Sequence, residues 1–251
     1  MLEKCHGFGV EVVHPAKVVK ASLDDWHKIQ SVQYIRDDIT HEVACHHVVF
    51  AAGAWTPSLL NDLFPSSSLD LKPKTDGLSW MIFKNPDPSS QQDQITLMLA
   101  PLLDHGDFEL AAREDGTIFV CGDPDLTDHL PEFTTTGVFE PVERSIDRFK
   151  SLLRRYVKPF AEGTAELQVV HQGLSYRPTN TLNRPIIASI PCHKLTPGIV
   201  CQRPAQKSGV YVCTGHGFYG ITMSFGSGKV MSALVLGLEP EIDVTVLDLP
   251  T

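Results

Sequence analysis

The stretch Gly215-His216-Gly217-Phe218-Tyr219-Gly220-Ile221-Thr222-Met223-Ser224-Phe225-Gly226-Ser227-Gly228-Lys229 decides how this chain is read. Ahead of it, Val210 to Val212 predicts a buried strand. Behind it, Met223 to Leu236 predicts a helix. Strand, glycine turn and helix together bring backbone N–H groups and a helix N-terminus up to an electron-rich ligand. Gly215, Gly217 and Gly220 satisfy G-x-G-x-x-G, the spacing that seats a dinucleotide pyrophosphate, and a nicotinamide-dependent dehydrogenase is one reading. That fingerprint should open a run of parallel strands, yet only a short tail follows. The acid expected about 20 residues on is Glu239, beside Pro240 in a turn. A phosphate P-loop fails too, because Gly228-Lys229 runs into Val230. Glycines and serines that simply let a helix pack closely on a sheet remain the plain alternative on the residues alone.

Working outward, a second unit of the same kind lies near the start. His46 to Ala52 is continuously apolar from Val48, as a strand buried on both faces should be. Gly53 breaks it, Thr56 is placed as a helix N-cap with Pro57 in the first turn, and Leu59, Leu60, Leu63 and Phe64 make one apolar helical face. Gly9 to Val13, Val18 to Ser22 and Ser31 to Arg36 predict short strands. Pro65 to Pro73 is a Ser/Pro-rich linker. The pattern then turns strand-rich: Leu78 to Phe83, Ile95 to Leu99, Phe108 to Ala112 and Thr117 to Cys121, the last two around the Glu114-Asp115-Gly116 turn. Pro141 to Val157 predicts an amphipathic helix with Val142, Ile146, Phe149, Leu153 and Val157 on one face, stopped by Pro159. Glu166 to Val170 predicts another strand, and from about Gly173 the glycine-turn style returns. This order predicts an α/β chain with α+β character. Residues 1–64 and 173–251 would form an α/β domain, and 65–172 a strand-rich domain inserted within it.

The chain has 251 residues, with 42% hydrophobic and 20% charged residues, enough to bury a real core. A formal net charge of −9 argues against nucleic-acid binding, which needs a basic face. Six scattered cysteines form no Cys-x-x-Cys pair, so zinc knuckles and dithiol motifs are not expected, and reduced thiols are. Cys45-His46-His47 lacks further ligands nearby in sequence, and no metal is expected there. Asp104-His105 is too common a pairing to support a hydrolase triad. No leader and no long apolar span is visible, so a cytoplasmic location without a membrane span is the expectation.

Gly-His-Gly-Phe-Tyr-Gly-Ile-Thr-x-Ser…Gly-Lys at 215–229 closely resembles the C-terminal flavin motif of the D-amino-acid oxidase/glycine oxidase superfamily of FAD-dependent oxidoreductases. Val48-Val49-Phe50-Ala51-Ala52-Gly53-Ala54-Trp55-Thr56-Pro57 is similar to that family's second FAD-contacting turn. Gly173-Leu174-Ser175-Tyr176-Arg177-Pro178, followed by Arg184-Pro185-Ile186-Ile187, is similar to its G-L-R-P…P-x-I-G stretch. The family's chains open with their own G-x-G-x-x-G βαβ unit, and nothing near Met1 resembles it. The expectation is therefore a chain corresponding to the C-terminal two-thirds of a member. Whether it holds FAD alone stays open, and a non-catalytic remnant or regulatory binding module is the alternative.

The resemblance implies an FAD-binding Rossmann-like fold and oxidation of a small amine or amino acid, with hydride passing to flavin N5. It implies cofactor contacts at Ala52, Gly53, Trp55, Gly215, His216, Gly217, Phe218, Tyr219, Gly220, Ile221 and Thr222. The N–H groups of residues 220 to 222, at a helix N-terminus, suit the negative charge that grows at the reduced ring. Glycine at 217 and 220 removes β-carbons that would block close approach. Phe218 and Tyr219 would shape the ring face or substrate pocket, or simply pack. Arg177 matches the family's clamp arginine and would hold a substrate carboxylate bidentately, with Arg184 in reserve. His216 is read as a packed, positioning residue, because a neutral amine substrate needs no strong base. Residues 173–177 hold no cysteine, so flavin bound there would be non-covalent.

Overall fold

A computed structural model describes residues 2–25, 27–87, 96–99, 108–125, 130–131, 139–197 and 209–250. In chain order the elements are α1 (Leu2–Gly7), β1 (Lys17–Leu23), β2 (Ile29–Arg36), β3 (Ile39–Ala44), β4 (His47–Phe50), α2 (Thr56–Leu63), β5 (Pro73–Lys74), β6 (Gly77–Lys84), β7 (Thr96–Leu99), β8 (Phe108–Ala112), β9 (Thr117–Asp125), α3 (Glu143–Tyr156), α4 (Lys158–Ala161), β10 (Val169–Tyr176), β11 (Thr179–Asn180), β12 (Ile186–Ile190), α5 (Cys192–Leu195), β13 (Gly209–Thr214) and α6 (Gly220–Leu236). These residues divide into two units. One takes the stretches up to Pro73 and from Pro178 onward, and the other takes Lys74 to Arg177.

In the first unit, β13 lies between β12 and β4, antiparallel to β12 and parallel to β4 in the register Val210↔Val48, Val212↔Phe50. Alternate residues of β13 serve opposite faces of this sheet. Val210 and Val212 join Phe50, Leu60, Phe64 and Ile186 on one side. Tyr211 meets Val230 and Met231 of α6, with Ile187, on the other. Burial on both faces explains the unbroken apolar run at 210–212. β4 was expected to be covered likewise, but Val49 is 40% exposed and only Phe50 of the strand is buried, so one side of β4 is open. A separate antiparallel sheet, β1-β2-β3, packs Ile29 into the first of these cores.

The second unit is a five-stranded antiparallel sheet in the order β10-β6-β9-β8-β7. One face is covered by α3, which lays Phe149, Leu152 and Leu153 onto Met81, Phe83, Ile118 and Val120. Phe108 meets Phe149 edge-on, with centroids 5.8 Å apart.

Several expectations need correction. Gly9 to Val13 is not a strand, because no neighbouring strand pairs with it among the described residues. β3 is a strand that the sequence did not announce. All six of its residues are exposed, and pairing with β2 across Asp37 and Asp38, both at positive φ, holds it in place. Thr56 does not cap α2. It is the first helical residue, with Trp55 in the N-cap position and no side-chain cap. Val142 is the N-cap of α3 and not part of its helical face. Gly173 to Tyr176 is regular β10, paired with β6. The strand expected from Glu166 begins only at Val169. Not every thiol is reduced: Cys192 is disulfide-bonded, while Cys5, Cys45, Cys121 and Cys213 are free. Ile95, Asp104, His105 and Cys201 lie outside the described residues.

Candidate functional site

The parallel pairing of β4 and β13 puts two similar corners side by side in the first unit. β4 runs through Ala51-Ala52 into a 3-10 turn at Gly53–Trp55 and then α2. β13 runs through Gly215-His216 into a 3-10 turn at Gly217–Tyr219 and then α6. Three glycines at these corners sit at positive φ: Gly53 at 59°, Gly215 at 81° and Gly217 at 53°. This region strains any residue with a β-carbon. The hydroxyl of Thr214 donates to the Gly53 carbonyl at 3.0 Å and ties one corner to the other.

Gly215 is packed against the chain that approaches it. A β-carbon there would lie 2.4 Å from Asn180 Nδ2 and 3.0 Å from the Arg184 carbonyl. Asn180 is itself buried, donating to the Arg184 carbonyl at 2.8 Å and accepting from the Leu182 N–H at 3.0 Å. Gly217 N–H donates to the Pro178 carbonyl at 3.0 Å. His216 shares a 2.8 Å hydrogen bond between Nε2 and the hydroxyl of buried Ser227 on α6, and desolvation pushes its pKa below the ordinary histidine value. The imidazole thus pins the turn to the helix.

The outer side of the second corner is open. No side chain caps α6, so its first N–H groups, which have no acceptor within the helix, meet no side-chain partner from the N-cap. Phe218, Tyr219, Ile221 and Phe225 are exposed, Ile221 to 93%. A β-carbon at Gly53, Gly226 or Gly228 would meet nothing within 4 Å. The corner therefore has room in front of it and a tightly held backbone behind. An apolar cleft of about 340 Å³, lined by Val18, Val32, Val49, Ala52, Leu59 and Leu63 among others, runs along β4 to the first corner. Thr56, fully buried at the start of α2, has a hydroxyl without a hydrogen-bond partner among the described residues.

Ala52, Gly53, Trp55 and Gly215 to Thr222 are thus brought to one end of one sheet. Arg177 belongs to the second unit, at the end of β10, where its N–H donates to the Asp76 carbonyl at 2.9 Å and its Nη1 lies 3.9 Å from Asp76 Oδ2. Arg184 directs its guanidinium at the Asp248 carbonyl (3.0 Å) and the Pro185 carbonyl (3.5 Å), which makes it a tether for the C-terminal segment. Sequence reasoning missed Asn180, Thr214 and Ser227. Of these, only Thr214 carries a local signal, a polar residue closing an apolar strand just before the glycine.

The family of FAD-dependent oxidoreductases designated DAO matches residues 1–234. A Schizosaccharomyces pombe protein named "Putative oxidoreductase C1F5.03c" is 27% identical over 220 residues, which is 83% of this chain and 47% of that one. The chain therefore spans about half the length of that curated relative. Among solved structures, glycine oxidase from Geobacillus kaustophilus is 16% identical with a TM-score of 0.62, covering 94% of this chain and 52% of that one. L-Amino acid deaminase from Proteus myxofaciens, in complex with anthranilate, is 16% identical with a TM-score of 0.67, covering 98% and 57%. Identities this low establish a shared fold and nothing finer. The two parallel strand–glycine–helix corners, the sheet unit set between them in sequence, and the match over residues 1–234 lead to one conclusion: this chain belongs to the DAO family of FAD-dependent oxidoreductases.

Proposed function

We propose that this chain supplies the ring-holding corner and the substrate sheet of an oxidoreductase that acts on a small amine or amino acid. The observation that carries the reading is the uncapped, outward-facing start of α6 behind a glycine turn that is rigidly backed by Asn180, His216 and Ser227. FAD, the family's cofactor, would supply the two-electron sink for a hydride leaving the substrate carbon. The N–H groups of Gly220, Ile221 and Thr222 would donate to the electron-rich edge of the ring, where a helix N-terminus stabilises negative charge. Gly217 and Gly53 would permit close approach, and Ala52 and Trp55 would flank the neighbouring corner. Phe218 and Tyr219 would exclude water from the ring face. In the second unit, Arg177 would grip the substrate carboxylate through two parallel N–H donors. His216, already committed to Ser227, would position the turn and carry no proton for the reaction.

The test is a titration of the purified chain with FAD, followed by thermal unfolding and by the visible flavin spectrum. At 100 times the dissociation constant, a specific ligand adds about 2.7 kcal/mol to stability. NAD(P) serves as the control and should add nothing. The rival reading is a non-catalytic binding or regulatory module of the same family that does not hold FAD by itself. A chain that gains nothing from FAD, with α6 folded, supports the rival.

A further inference from the structure

The face of the five-stranded sheet turned away from α3 carries a charge pattern that the proposed oxidation alone does not require. Strand register places its members. Gly173, Trp80, Cys121 and Glu109 form one row across β10, β6, β9 and β8. Ser175 and Leu78 lie opposite one another in the rows towards Arg177 and Asp76. The alternation that sends Met81, Phe83 and Val120 into the α3 core sends these residues to the opposite face. Trp80 donates its indole N–H to Ser175 Oγ at 3.0 Å, a bond between neighbouring rows of this face. Arg113 sits at the far end of the same face, stacked 4.6 Å over Phe119.

Glu109 is half-buried on this face, and among the described residues its partner is the thiol of Cys121, Sγ to Oε2 at 3.9 Å. No cation pairs with it there. A thiol is a weak donor, and a ligand cation would give this carboxylate a charge-assisted bond. The separation from Arg177 follows from the ladder. Four residues of strand rise and three strand spacings give roughly 19 Å between Cα atoms. A diamino acid extended over Trp80, about 6–7 Å from carboxylate to ammonium with a hydrogen bond of about 2.8 Å at each end, takes up about 12 Å of this span, and the Arg177 and Glu109 side chains bridge the other roughly 7 Å.

We propose that Glu109 is a specificity residue that selects substrates bearing a second, distal cationic group, that is, diamino acids of lysine or ornithine type. This rests on the reading of Arg177 as the carboxylate clamp. The α-carboxylate lies at Arg177, the methylenes cross Trp80, and the side-chain ammonium meets Glu109. Cys121 backs the carboxylate without ionising, since its thiol is pushed up to about 11, chiefly by burial.

Calorimetric titration of the chain with lysine and with norleucine, which differ in the distal ammonium, tests this without turnover. Lysine should bind roughly tenfold tighter or more, the usual worth of a charge-assisted hydrogen bond. Glu109→Gln should erase the difference while leaving norleucine unchanged, and Arg177→Met should weaken both ligands alike. Equal binding of the two ligands by the wild-type chain, binding of neither, or a preference that survives Glu109→Gln overturns the inference. The wild-type comparison decides the matter even if a variant fails to fold. Flavin absorption read on the same samples separates the two proposals. FAD bound without a lysine preference sinks only the role of Glu109. A lysine preference without FAD binding sinks only the oxidoreductase reading of this chain.

Discussion

Gly215→Ala is the sharpest probe of the backbone behind the open corner. At φ 81° an alanine pays the left-handed penalty of about 1–2 kcal/mol. Its methyl would also lie 2.4 Å from Asn180 Nδ2 and 3.0 Å from the Arg184 carbonyl. Asn180 is only 3% exposed and cannot swing into solvent, so relief requires a backbone shift or loss of its bond to Arg184. Overpacking of this kind costs about 1–3 kcal/mol, which brings the expected destabilisation to about 2–5 kcal/mol. Gly226→Ala is the control: its methyl meets open space inside α6, and it should add about 0.5–1 kcal/mol. Because the chain has two units, the readout is hydrogen exchange of α6 amides together with urea unfolding, so that the local loss is distinguished from melting elsewhere. If Gly215→Ala leaves α6 protection within about 1 kcal/mol of wild type, the account of a rigid backing is wrong.

Other outcomes follow from the same geometry. Desolvation holds the His216 pKa below its ordinary value, so the unfolded chain binds the proton first. Stability should therefore fall as pH drops below about 6.5, and His216→Ala should flatten that part of the curve while losing the bond to Ser227. Denaturation series at pH 5 to 8 read both effects. Thr56→Val replaces a buried hydroxyl that has no partner among the described residues, and should stabilise the chain by about 1 kcal/mol; a loss in urea unfolding would show that the hydroxyl is bonded in solution. Cys121, with its thiol raised to about 11 and 8% exposed, should be alkylated far more slowly at pH 8 than Cys5, as site-resolved mass spectrometry can read.

Where apolar runs coincide with burial on both faces, the sequence was readable. Val210 to Val212 is a strand covered on both sides, whereas Val48 to Phe50 carries the same apolar signal but leaves Val49 exposed beside the cleft; the glycines behind both break the strands at positive-φ positions. Phe108 to Ala112 was placed to the residue for the opposite reason, a clean alternation closed by a glycine hairpin. Long-range partners were not legible. Nothing local in Thr179-Asn180 announces that this amide fills the space against Gly215, thirty-five positions later in the chain. Nor does Ser227, one of several small residues in α6, advertise its bond to His216. Thr56 shows propensity misread by one position, because Trp55 takes the N-cap conformation and the threonine is drawn into the core. Glu109 carries no motif, and its interest arises only from the row that strand register builds around it.

The single hydroxyl of Thr214 reaching the Gly53 carbonyl makes the paired corners one mechanical object. A shift of α2 must be answered by α6, since their turns hang from adjacent rungs of the same ladder. Drift in either turn is then tolerated only when its neighbour drifts with it. In a collection of kindred chains, position 214 should keep a hydroxyl whatever stands at 53, since every residue there offers the same main-chain carbonyl.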